Sequence, residues 1–497
     1  MGDTQSPPQL PAGRGRVHRS ARRSRAAREV GARSGGDNSS TLAAVPRLPV
    51  KLPALPDTLT EASAARRFAE QYAARLRYDH RRKRWLVWSR HYWRPDNNGA
   101  VVRLVLEAAR LWQLQASLEI RDVNRRAAVL QWAIGFERRA KYQALLGTAQ
   151  NLEPLTDAGD RWDLDPWLLG VPNGVLDLRT GELRDGRPDD RITMQAGVAF
   201  DPDAACPRWE LFMREIFGGD EELVDYVWRA LGYSLTGVTS EQVLFLEHGT
   251  GANGKGTKAA VVRSVLGEYA DNLRFNTLEF QQRSAIGEDL AALVGRRLLT
   301  AAETNDGTRL NEARIKALTG GDPITARHLY GEQFTFRPAA KFWLQFNHKP
   351  VVRDDSHGFW RRIRMIPFLQ QFPVSGELEP ALLAEGPGVL AWMVRGCLAW
   401  QERGLEAPAV VREATDTYRA DSDVLTQFVD EALDLEPDSE MGASALFRHY
   451  AEWAKAAGFA ERQLLSPNAF GRRAAERFRR VRTRSGWVYQ GIARRFV

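Results

Sequence analysis

The run Gly249-Thr-Gly-Ala-Asn-Gly-Lys-Gly-Thr257 concentrates glycines, an amide, a lysine and hydroxyls between the apolar stretch VLFL at 243–246 and a helix-periodic segment. A strand, a glycine-rich turn and a helix start form the setting that a phosphate-binding loop needs. Glycines let successive backbone N–H groups turn onto phosphate oxygens without Cβ clashes, and a helix N-terminus adds a favourable dipole. Gly249, Gly251, Asn253, Gly254, Lys255, Gly256 and Thr257 are therefore the candidate nucleotide-binding residues, with Lys255 placed to reach the β and γ phosphates of ATP. The hydroxyl expected directly after the lysine is replaced by Gly256, which leaves Thr257, one place later, as the candidate Mg2+ ligand on the loop.

ATP hydrolysis needs more than a phosphate cradle. Glu303 ends LLTAAE, where an acid at a strand end would polarise water or hold magnesium; alone, such an acid is as readily a surface residue. Asn347 closes FWLQFN before His348-Lys349-Pro350, where proline stops the strand. Its amide could sense the γ-phosphate or simply cap a turn. Arg361 and Arg362 follow Phe359-Trp360, and their rigid forks suit charge developing on a transferred phosphoryl group, including one in a neighbouring subunit. They could equally be surface cations that stabilise the fold. Between Glu303 and Asn347, Gly320-Gly321-Asp322-Pro323 signals a turn, and ITARHLY with QFTF signals a hairpin. Lys316, Arg327, Lys341 and His328 give that region candidate DNA contacts, joined near the end of the chain by Arg472 and Arg473. Thiols and histidines with metal-ligand spacing are missing, so magnesium brought in with ATP is the expected metal.

The elements that must position these groups follow from periodicity. The 497 residues exceed one ordinary core, so several folding units are expected. Residues 1–58 read as a disordered basic tail and proline-containing linker, and 59–160 as a mainly helical unit whose RRKRWLVWSRHYW segment is a short hairpin with a tryptophan core. Residues 161–240 form a lead-in or collar, with turns at Pro172-Asn173-Gly174 and Thr180-Gly181. Residues 241–373 alternate short apolar strands with helices, the pattern of a sheet covered on both sides. Residues 374–440 are helical, with 411–433 one amphipathic stretch, and 441–497 read as helix, helix and terminal hairpin, a winged-helix-like DNA-binding unit. The net charge of +8 favours a polyanionic partner without naming one. No apolar run approaches a bilayer-spanning length, and Cys206 and Cys397 are too few for a disulfide framework, so a cytoplasmic protein without membrane attachment is expected.

The ordered series GTGANGKGT, GRRLLTAAETNDG, RIKALTGGDPITARHLY, QFTFRP before KFWLQFNHKP, and GFWRRIRMIPF resembles the superfamily 3 helicase domain of phage and plasmid primase-helicases of the poxvirus and satellite-phage type. PNGVLDLRTGEL and CPRWELFMREIF look like the lead-in to that domain. The resemblance implies a P-loop, AAA+-like core in a hexameric ring that hydrolyses ATP with Mg2+ at subunit interfaces and moves along single-stranded or forked DNA. It places Gly249, Gly254 and Lys255 in the phosphate loop, Glu303 in the second motif, Asn347 at the sensor, and Arg361 or Arg362 as a finger given to the next subunit. Larger members begin with a primase domain; no polymerase-like carboxylate cluster precedes residue 150, so a separate primase or initiator is the expected partner in phage, prophage or plasmid replication. The alternative is a DNA-binding initiator or scaffold that uses ATP mainly for assembly.

Overall fold

The computed structural model describes residues 53–280, 288–302, 308–327, 333–354, 356–373, 375–459, 464–484 and 486–495. The tail before residue 53, Glu303 and His328 lie outside them.

The first helix, α1 (Glu61–Gln71), starts where Thr60 and Ser63 cap each other's backbone N–H groups. Strands β1 (Leu76–Asp79), β2 (Arg84–Ser89) and β3 (Tyr92–Pro95) form an antiparallel meander, and helices α2 (Ala100–Glu119), α3 (Val123–Gly135) and α4 (Arg139–Ala149) follow. Strand β4 (Thr156–Asp157) then returns to pair with β1. Phe68, Leu76, Trp112, Phe136 and Leu145 form one core here. Trp93 is buried against Leu86 and Trp162, so the tryptophans among the arginines of 81–93 serve packing, as the hairpin reading expects. The end of the linker is tied down: Arg67 donates to the carbonyls of Pro53 and Ala54, and Arg125 to that of Pro56.

A second meander, β5 (Leu168–Val171), β6 (Gly174–Asp177) and β7 (Glu182–Arg184), leads to α5 (Pro207–Ile216) and α6 (Glu221–Tyr233). Next come β8 (Leu244–His248), α7 (Lys255–Leu266), β9 (Ala270–Asn272), α8 (Glu288–Ala291), β10 (Leu298–Ala302) and α9 (Glu312–Gly320). The hairpin β11 (Ile324–Arg327) and β12 (Gln333–Phe336), strand β13 (Lys341–Phe346), α10 (His357–Trp360) and β14 (Ile363–Pro367) complete this part. Five of these strands form a wholly parallel sheet in the order β14-β8-β13-β10-β9. Both of its faces are covered, so its strands are near-continuous apolar runs. Trp343 and Phe245 stack on each other on one face, ring centroids 4.1 Å apart, while Phe342 and Leu344 enter a separate cluster on the other.

Helices α11 (Leu378–Ala384), α12 (Gly386–Arg403), α13 (Ala409–Ser422) and α14 (Val424–Ala432) follow. The single stretch expected over 411–433 is thus two helices, because Asp423 ends one and caps the next by accepting from the Thr426 N–H. The chain closes with β15 (Leu433–Asp434), β16 (Glu440–Gly442), α15 (Ala443–Ala456), α16 (Pro467–Arg477), β17 (Arg480–Thr483), β18 (Gly486–Gln490) and β19 (Ala493–Arg494) around Phe428, Tyr450, Phe470 and Tyr489. The molecule is a mixed α/β protein with a parallel sheet. No single described helix is long and apolar enough to cross a membrane.

Candidate functional site

Strands β8 and β13 are neighbours at the centre of the sheet, yet the chain leaves them in opposite directions: from β8 to β9 at one edge, and from β13 across to β14 at the other. A crevice opens at the carboxyl ends of strands where connections diverge in this way. A cavity of about 300 Å3 lies there, lined by Gly251–Thr257 together with Ala302, Gln345, Phe346 and Asn347. Ala302 is the last described residue of β10, and Glu303 directly follows it in sequence.

The loop is held from several sides. The Phe368 and Phe372 N–H groups donate to the carbonyls of His248 and Ala252, both at 2.7 Å, and Gln371 donates to the Thr250 hydroxyl at 2.8 Å. A Cβ on Gly249 would lie 2.3 Å from the Phe368 carbonyl oxygen. One on Gly254, whose φ is +84°, would lie 2.5 Å from Ile216 of α5. These two glycines are therefore steric requirements of the loop. Gly256 differs, since a Cβ there would meet nothing within 4 Å.

At the first turn of α7, Lys255 is buried, donating to the Gly249 carbonyl at 2.6 Å and to Asn347 Oδ1 at 3.4 Å. Burial lowers its pKa from the ordinary lysine value, and the nearby Glu247 carboxylate opposes that shift. Asn253 is 3 % exposed, and among the described residues its Nδ2 has no acceptor, an unsatisfied donor in the cavity wall. Residue spacing gave no hint of Gln345, two positions before Asn347 on the same strand face; its amide donates to Glu247 at 3.0 Å and to the Lys255 carbonyl at 2.7 Å. Nor did it identify the buried pair of Glu247 and Lys258, 2.5 Å apart, with the ammonium 4.1 Å from the Trp343 ring centroid. The arrangement offers backbone donors, a cation and an orphaned amide to an anion, with Thr257 on the lining as a hydroxyl for an accompanying cation. Among the described residues no cluster of three or more His, Cys, Asp or Glu could hold a metal by itself.

Arg361 and Arg362 lie elsewhere. Ile363, the residue after them, pairs with Leu244 at the start of β8, about 16 Å of strand away from Gly249. Neither can reach the cavity of its own chain. Arg362 is buried, with Nε on the Thr319 hydroxyl at 3.1 Å and a second nitrogen on the Gly358 carbonyl, whereas Arg361 is exposed and donates to Gln242 at 2.5 Å.

The expected DNA contacts divide. Lys341 is buried, not surface-placed: its ammonium donates to the carbonyls of Thr236, Val238 and Ala339, and burial pushes its pKa well below the usual lysine range. It ties the base of β13 to the end of α6 and offers no cation to DNA. Lys316 is half-exposed and paired with Asp354 at 2.7 Å, Arg327 is exposed on β11, and His328 lies outside the described residues. Arg472 is exposed, while Arg473 donates to the Arg353 carbonyl.

Residues 65–218 match the family described as D5 N terminal like, and residues 248–362 match a family of unknown function, DUF5906. "Putative helicase L207/L206" of Acanthamoeba polyphaga mimivirus is 29% identical over 321 residues, 59% of this chain and 33% of that protein. The chain is thus similar to proteins described as putative helicases and primases of large DNA viruses. Among other relatives, "Putative helicase 022R" of Frog virus 3 is 26% identical, covering 60% of this chain and 40% of its own length; "Putative primase C962R" of African swine fever virus is 27% identical, covering 59% and 34%. The chain spans between a third and two fifths of the length of these relatives. The solved NrS-1 C-terminal region is 11% identical with a TM-score of 0.46, covering 84% of this chain and 96% of that one.

Proposed function

We propose that the chain is an ATP-dependent DNA helicase that forms a ring, acts in viral, phage or plasmid DNA replication, and couples hydrolysis to movement along single-stranded DNA. The observation that carries this reading is the convergence of the glycine loop, Lys255, Asn253 and Asn347 on one cavity at the divergence of β8 and β13. In this reading the loop is a P-loop and the sheet the core of an AAA+-like motor. The N–H groups of 249–257 cradle the triphosphate and Lys255 neutralises its β and γ oxygens, exchanging its bond to Gly249 for them. The vacant donor of Asn253 gains an acceptor. Asn347, together with Glu303, which follows Ala302 in sequence, orients the attacking water. The Thr257 hydroxyl and the Glu303 carboxylate would hold the magnesium ion that arrives with the nucleotide, which would further neutralise the phosphates.

Because Arg361 is remote from its own cavity and exposed, it is the finger offered to a neighbouring subunit, probing charge that builds on the transferred phosphoryl group. Residues 241–373 are then the motor, 374–440 its helical extension and 441–497 a winged-helix-like DNA-binding module. A primase or initiator is its partner in replication, in the cytoplasm of a bacterial or infected host cell. Unwinding of a forked duplex tests the proposal: strand separation is expected with ATP and Mg2+, and none in Lys255→Ala. Tight DNA binding by a correctly assembled protein that never separates strands, with or without ATP, rules the helicase reading out in favour of an initiator.

A further inference from the structure

The arginines of the carboxyl-terminal module are partnered selectively. Arg477 pairs with Asp423 at 2.5 Å, Arg494 with Glu452 at 3.6 Å, Arg495 with Asp434 at 2.8 Å, and Arg473 holds the Arg353 carbonyl. These contacts bind the module together and to its neighbour. In contrast, Arg479, Arg480, Arg482 and Arg484 on and beside β17 are exposed, and none makes an ion pair among the described residues. Four like charges so close together repel one another, and a polyanion relieves that repulsion.

Charge alone would serve any phosphate backbone. The β17–β18 ribbon adds a second feature. Its register sets Arg480 opposite Tyr489 and Arg482 opposite Trp487, so all four side chains share one face. Tyr489 anchors the inner end, buried and donating to the Gly471 carbonyl at 2.9 Å. At the outer end the Trp487 indole is 43% exposed, with the Arg480 guanidinium 4.2 Å and that of Arg482 5.8 Å from its ring centroid. An indole with two guanidinium groups close to its ring, neither in an ion pair among the described residues, and left open to solvent suits a partner that presents both a π face and a phosphate. Bases inside a duplex are stacked and cannot offer that face.

We propose that the β17–β18 ribbon is a stacking platform for single-stranded nucleic acid, with Trp487 taking an unpaired base and Arg480 and Arg482 the flanking phosphates. This rests on the reading of the chain as a DNA-acting protein but not on its nucleotide chemistry, and it is tested without ATP. Full-length protein is titrated against labelled oligothymidine, an abasic strand of equal charge, and a duplex, at several salt concentrations. Wild type is expected to prefer oligothymidine over the abasic strand. Trp487→Ala should weaken oligothymidine binding by about 5- to 150-fold while hardly changing abasic binding, and Trp487→Phe should keep most of the affinity. Arg480→Ala with Arg482→Ala should weaken both strands and reduce the salt slope by about 1.4. Equal wild-type binding of oligothymidine and abasic strand, or unchanged affinity in Trp487→Ala, overturns the stacking role. Trp487-dependent preference for the duplex overturns it as well, making the ribbon a duplex-groove wing. Loss of ATP hydrolysis in any of these proteins bears on the motor and leaves this comparison intact.

Discussion

Lys255 is held in a partly dehydrated place, bonded to a carbonyl of its own loop, so its proton is less firmly kept than that of a surface lysine. A triphosphate would raise the pKa again. Nucleotide affinity should therefore be full while Lys255 is protonated in the free protein and decline as pH rises through its lowered pKa, before the ordinary lysine range is reached. Calorimetric titration with a non-hydrolysable ATP analogue across alkaline pH checks this; affinity that stays flat until that range contradicts it. Two glycine substitutions separate steric need from mere sequence pattern. Gly249→Ala forces a Cβ against the Phe368 carbonyl and should cost about 1–3 kcal/mol of stability together with nucleotide binding. Gly256→Ser enters open space inside a helix, should stabilise by about 0.5 kcal/mol, and returns a hydroxyl to the position after the lysine. Melting temperatures of both proteins read the difference. At this scale the loop was legible as a tight strand-to-helix turn, because glycines cluster between an apolar run and a helix-periodic segment. Lys341 was not: within KFWLQF nothing distinguishes a surface lysine from one whose ammonium is held by the carbonyls of Thr236 and Val238, distant in the sequence.

Among the elements, the parallel sheet was legible because VLFL, LLTAAE and FWLQF are apolar runs bounded by breakers. Strand β9 escaped notice because three residues carry no period, and β16 for the same reason. The boundary between α13 and α14 was hidden because the amphipathic rhythm runs through Asp423, whose capping role depends on a turn that periodicity does not report. Its pKa carries a consequence. Burial alone would raise it, but hydrogen bonds from Thr426 and the Arg477 guanidinium hold it below the usual carboxylate range. A carboxylate with a lowered folded pKa contributes stability above its ordinary range and loses it as pH falls toward the folded value. The Asp423→Asn protein, which keeps the cap but loses the charge facing Arg477, should thus be less stable at neutral pH by about 0.5–1 kcal/mol and show a flatter acid denaturation curve, with the two melting profiles converging in strong acid. Beneath the loop, Glu247 and Lys258 are buried together between β8 and α7. Glu247→Leu leaves an uncompensated buried ammonium and should destabilise by about 3–5 kcal/mol, while the added change Lys258→Met should recover most of the loss in urea denaturation.

Across the whole molecule, the cavity and Arg361 sit at opposite ends of the same sheet, which makes a site completed by a second copy the economical arrangement. Proteins carrying Lys255→Ala or Arg361→Ala should each fail to hydrolyse ATP, yet mixing them should restore part of the turnover, because some interfaces then join an intact lysine to an intact arginine. No recovery on mixing assembled proteins removes Arg361 from the mechanism. The segments that brace the loop come from far apart in the chain: α5 behind Gly254, and 368–372 over Gly249 and Ala252. That convergence explains why a short motif needs the long lead-in that precedes it. The most direct measurement of the central claim is Mg2+-dependent ATP hydrolysis by the full chain, with and without single-stranded DNA, beside a Lys255→Ala protein of unchanged melting temperature. Turnover that DNA stimulates and the substitution abolishes is the predicted result; equal turnover in both proteins, or none in an assembled and folded wild type supplied with DNA, would contradict it.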